Sequence, residues 1–168
     1  MKRRDFMEKW GLAGLKLPPR VLAGRLNPRP ADRAAAWELY VELATRITTQ
    51  PLPDKDGDEK TALDSVAGLF PLTRDVLKRH GPGCAECARL AIPVLNQVVR
   101  PFTAKWLKLA LAGAFKKSAR CAEFRRELAA LQVTLRSYTG ALAALGKVRL
   151  DGQATDGEWG LTRLVPIL

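Results

Sequence analysis

Four side chains in this sequence could ligate a soft metal or serve as nucleophile and base: His80, Cys84, Cys87 and Cys121. Three thiols and one imidazole make a complete zinc set on paper, and Cys84 and Cys87 have the usual two-residue gap. The chain between them argues otherwise. If residues 87–115 are helical, their ends lie about 42 Å apart at ~1.5 Å per residue, and Cys121 falls just past the far end. Isolated thiols are therefore expected, with no metal and no cofactor. His80, the single histidine, sits in a basic helix terminus, which favours a structural role over general base catalysis.

Other chemical patterns fail on spacing. Asp54, Asp56 and Asp58 alternate like the start of a calcium loop, but Gly57 comes one place early and Ser65 occupies the closing position that needs glutamate. Capping and solvation explain these acids better. Gly11, Gly14 and Gly24 have neither the spacing nor the lysine of a phosphate-binding loop. No catalytic residue is assigned, and an enzyme is not expected.

Charge is more informative. The net charge is +11 over 168 residues, and it is unevenly spread: nine basic and three acidic groups in 1–33, three and seven in 34–66, ten and two in 67–120, and six and five in 121–168. Arg89, Arg100, Lys105 and Lys108 fall on one half of a single predicted helix, and Lys116, Lys117 and Arg120 cluster at the turn after it. Such a strip suits a phosphate backbone or an acidic protein surface, without sequence specificity, because no recognition helix or stacking motif accompanies it.

The elements behind these residues are helical. Proline at 30 and Asp32 start a helix whose Trp37, Tyr40, Val41, Ala44 and Ile47 define one apolar face and which Pro51 stops. After an acidic loop, Asp58 or a neighbour caps a second helix carrying Leu63, Val66, Ala67, Phe70 and Leu77. It ends at Lys78-Arg79-His80-Gly81-Pro82, and Pro71 bends it. Over 84–115, Ala91, Leu95, Val98, Phe102, Trp106 and Leu109 share a face from which Pro93 and Pro101 point away, giving one kinked helix or two collinear pieces. In the last helix, between a Ser118 cap and a Gly146 terminator, Phe124, Leu128, Leu131, Leu135, Tyr138, Leu142 and Leu145 alternate spacings of four and three, the pattern of a lengthwise packing seam.

The expected fold is therefore all-α, an antiparallel four-helix bundle over 31–146. It is preceded by an arm, 1–30, in which residues 15–17 and 21–26 suit a short hairpin or an edge strand. An irregular tail, 147–168, follows. Arg3, Arg4 and Phe6 have the order of a twin-arginine export signal, but the apolar run behind them is only about six residues, short of the roughly 7–15 required. With no run long enough to span a bilayer and an odd number of cysteines, a cytoplasmic protein is expected.

The strings AAAWELYVELATRITTQPL (34–52), GDEKTALDSVAGLFPLTRDVLKRHG (57–81), LNQVVRPFTAKW (95–106) and FRRELAALQ (124–132) resemble a family of small helical bacterial proteins of unassigned activity, associated with multi-gene conflict or phage-defence loci. The resemblance implies a bacterial multi-protein setting and brings no assigned activity with it. With the heptad seam and an apolar tail, it points to a non-enzymatic adaptor, regulator or structural subunit. Its expected protein interface is Phe124, Leu128, Leu131, Leu135, Tyr138, Trp159, Leu164 and Ile167, facing a partner from the same system or a second copy. The alternative is a nucleic-acid-binding accessory factor using the basic strip.

Overall fold

The computed structural model describes residue 16 and residues 26–147. Those residues form an all-α fold of six helices: α1 (Pro30–Ala44), α2 (Glu59–Ala67), α3 (Leu69–His80), α4 (Ala85–Val94), α5 (Arg100–Leu111) and α6 (Ser118–Gly146). No strand occurs among them. The rest of the arm and the tail from residue 148, including Trp159, Leu164 and Ile167, lie outside the described residues.

Helix α6 is the spine. Its 29 residues span about 43 Å at ~1.5 Å per residue, too long for one partner, so different neighbours meet it along its length. Its first half packs against α5, where Phe102, Trp106 and Phe124 meet edge to face or tilted and Phe115 stacks on Trp106, with ring centroids 5.1–6.0 Å apart. Gln132 then reaches the end of α1, donating to the carbonyls of Ile47 and Gln50 at 2.7 and 2.6 Å. From there to Gly146 the spine runs antiparallel to α1 in the most extensive helix pairing of the fold.

Two predicted helices divide, each for a local reason. The 59–80 segment breaks at Gly68, which closes α2 and opens α3; Pro71 lies within the first turn of α3, where a missing N–H breaks no bond. The 85–111 segment widens over Leu95–Val99, where the Arg100 N–H bonds back five residues to the Leu95 carbonyl. Pro101 lacks the N–H that would hold the tighter spacing here, and a wide turn relieves its ring.

Boundaries follow the physics of their caps. Asp58 accepts from the Thr61 N–H at 2.7 Å, which holds its carboxyl below the usual range, so it is the α2 cap as expected. Gly81 carries the left-handed φ of +60° that ends α3. Three expectations need correction. Helix α1 stops at Ala44 rather than Pro51, because Thr48 and Thr49 hydroxyls donate to the Leu43 carbonyl and the Gln50 amide to that of Ala44, capping the helix early. The cap of α6 is the extended Lys117, with Ser118 already helical, and the left-handed terminator is Lys147 (φ +53°) rather than Gly146.

The largest correction concerns α1. Its buried face is Asp32, Ala35, Ala36, Leu39 and Leu43, with Tyr40 and Ile47 of the expected stripe packed partly against the core, while Trp37 and Val41 are 46% and 37% exposed. Alanines at 35 and 36 let the neighbouring backbones approach closely; indole and isopropyl groups at those positions would hold them apart.

Candidate protein-docking groove

The seam expected to meet another protein is used inside the chain. Phe124, Leu128, Leu131, Leu135 and Tyr138 are all buried in the core, because α1 and α5 already cover both halves of the α6 stripe. In this structure they face the chain's own helices.

The inversion of α1 leaves a different apolar surface open. Trp37 and Val41, one turn apart on α1, face Leu72 and Val76, one turn apart on α3, across a groove of about 610 Å³ that Pro71 also lines. Tyr40 steadies the indole by stacking, with centroids 5.8 Å apart and planes at 23°. Charged groups frame the groove. At one end Glu38 of α1 binds both Arg79 and His80 at the end of α3, the latter at 2.7 Å. At the other, Arg46 pairs with Glu42 at 2.7 Å and stands beside Gly68. Asp75 lines the groove with no ion-pair partner among the described residues.

A buried polar joint sets the relation of α1 to the rest. Asp32, only 1% exposed, accepts from the Arg29 N–H at 2.9 Å, so it caps its own helix. Its second oxygen accepts from the N–H groups of Glu86 and Cys87 at 2.8 and 3.0 Å, so the same carboxylate caps α4. Arg125 of α6 likewise fastens the 52–58 loop, bonding Glu59 at 2.6 Å and the carbonyls of Pro53 and Gly57. The bridge from Asp32 to α4 and the Arg125 clamp have no local sequence signal, since each joins segments more than fifty residues apart.

The soft ligands do not converge. Among the described residues no three His, Cys, Asp or Glu side chains are grouped to hold a metal ion. Cys84 and Cys87 are buried, and Cys84 donates to the Gly81 carbonyl at 3.1 Å. Burial pushes the Cys87 thiol up to about 12, with Cys84 and Asp32 adding to it. Cys121, at the opposite end of the fold, donates to the Phe115 carbonyl at 3.3 Å and is also raised, mainly by desolvation. His80 is held by Glu38.

The basic strip is only partly free. Lys105 lies between Glu123 and Glu127 at 3.1 and 2.5 Å, and its hydrogen bond to Glu127 leads in holding its charge. Glu127 also accepts from the Trp106 indole N–H at 2.9 Å. Arg120 pairs with Glu123, and Arg89 with Glu86. Arg100 bonds Asn96 and lies over the Phe70 ring at 4.8 Å. Lys108, Lys116 and Lys117 have no acidic partner among the described residues.

No family model, curated protein or solved structure matches the chain. Among the described residues no helix is long and apolar enough to cross a membrane.

Proposed function

We propose that the protein is a non-enzymatic helical interaction module that receives an amphipathic helix of a partner protein in the groove between α1 and α3. The observation that carries this reading is the exposed Trp37–Val41 ridge of α1 standing over a groove whose far wall is the part-buried Leu72 and the buried Val76 of α3. Two parallel ridges accept the side-chain row of a third helix, which anchors through residues one turn apart. Asp75 favours a basic residue beside the apolar row of that helix.

The setting is a multi-protein bacterial system of the conflict or phage-defence kind, a context supported by the resemblance of the four helical strings. The protein acts there in the cytoplasm as adaptor, regulator or structural subunit. A nucleic-acid accessory role has less support, because carboxylates already neutralise Arg89, Lys105 and Arg120.

The test is co-purification from cells expressing the chain with its neighbouring genes. A stoichiometric protein partner is expected, and Trp37→Glu should weaken its capture about thirtyfold, the effect of losing a central aromatic anchor worth ~2 kcal/mol. The half-exposed position leaves helicity unchanged. A chain that stays monomeric and partnerless at micromolar concentration refutes the reading, as does capture indifferent to Trp37.

A further inference from the structure

The α5–α6 turn places exposed leucines and lysines side by side. Leu111, the last residue of α5, is 91% exposed, and Leu107 one turn earlier is 37% exposed. Lys108 lies between them in sequence. Gly113, at φ +78°, turns the chain, and the Lys116 side chain folds beside it, followed by exposed Lys117. All three lysines lack an acidic partner among the described residues, whereas the next cations inward, Lys105 and Arg120, are neutralised by Glu123 and Glu127. Positive charge is thus left at this turn, around a protruding leucine.

We propose that this tip docks on an anionic lipid bilayer, with Leu111 entering the acyl boundary and Lys108, Lys116 and Lys117 meeting lipid phosphates. Lysine suits the second task because its stem lies along apolar surface while the ammonium stays among headgroups. A nucleic-acid backbone would use the lysines but offer Leu111 nothing apolar to bury against, so the exposed leucine decides for lipid. The attachment is peripheral and reversible. Fourteen residues of α6 separate Ser118 from Gln132, where the end of α1 meets the spine, a distance of about 21 Å at ~1.5 Å per residue. The α1–α3 groove therefore stays clear of a bilayer held at the tip, and the two surfaces work independently.

Flotation of the full-length protein with phosphatidylcholine vesicles, with and without phosphatidylserine, tests this. Binding is expected only to the anionic vesicles. Leu111→Ser should lower partitioning about tenfold through lost apolar burial, without unfolding a residue that packs against nothing. Lys116→Glu with Lys117→Glu should abolish partitioning, since each lysine near an anionic surface contributes about fivefold. No flotation with phosphatidylserine vesicles, or flotation unchanged by Leu111→Ser, overturns the proposal. So does duplex DNA binding that the lysine pair controls and Leu111 does not, in the absence of vesicle binding. None of these readouts depends on a protein partner in the groove.

Discussion

Replacing Asp32 with alanine should be among the most damaging single polar changes in the chain. Three backbone N–H groups, those of Arg29, Glu86 and Cys87, end on this carboxylate, and at 1% exposure water cannot replace it. Losing a helix cap costs about 1 kcal/mol in typical hosts, and two helices lose theirs. Donors left unsatisfied in the interior add about 1–3 kcal/mol. Added together these come to about 3–5 kcal/mol, an upper bound because they share one side chain, and a large part of the ~5–15 kcal/mol that holds an ordinary domain. Asp32→Asn keeps one acceptor oxygen for α4 but turns an amide donor toward the Arg29 N–H, so it should cost about 1–2 kcal/mol. Asp58→Ala supplies the comparison: it removes an exposed, single-helix cap and should cost only about 1 kcal/mol. Urea unfolding followed by helical circular dichroism measures all three. If Asp32→Ala proves no more destabilising than Asp58→Ala, the double-cap account is wrong.

Alkaline stability should report the buried Cys87. Its folded value of about 12 stands above the ordinary 9.0, so the unfolded chain loses this proton first. Stability from this group is full below about pH 9 and falls between pH 9 and 12 by ~1.4 kcal/mol per unit; Cys87→Ala should flatten that part of a pH series of urea midpoints, and an unaltered slope would count against the burial argument. Leu128→Ala, at a fully buried seam position, should cost about 2–5 kcal/mol while leaving the mass seen by light scattering unchanged; a changed oligomeric state would instead return the seam to an intermolecular role.

Much of the secondary structure was legible because its causes are local. The four-three leucine spacing of α6 needs only the helical repeat to be read, and Lys78-Arg79-His80-Gly81-Pro82 marks the end of α3 by charge, left-handed glycine and a breaker within five residues. Where the signal was ambiguous, the reading failed. Helix α1 carries apolar residues on both sides, Trp37 and Val41 against Ala35, Ala36, Leu39 and Leu43. Periodicity permits either face to be buried, and size favoured the wrong one.

What the residues determined alone was the helical alphabet: which segments are helical, which stripe of α6 must be covered, and how much unbalanced positive charge the chain carries. Only the folded molecule decided what covers what. The length of α6 lets α1 and α5 occupy the seam in cis, the close approach of backbones selects alanine over tryptophan inside, and Asp32 and Arg125 find partners distant in the chain. Those are choices of packing volume and polar satisfaction, which depend on which segments meet, and no local pattern records that. The exposed Trp37–Val41 ridge and the leucine-tipped turn are among the apolar surfaces those choices left open.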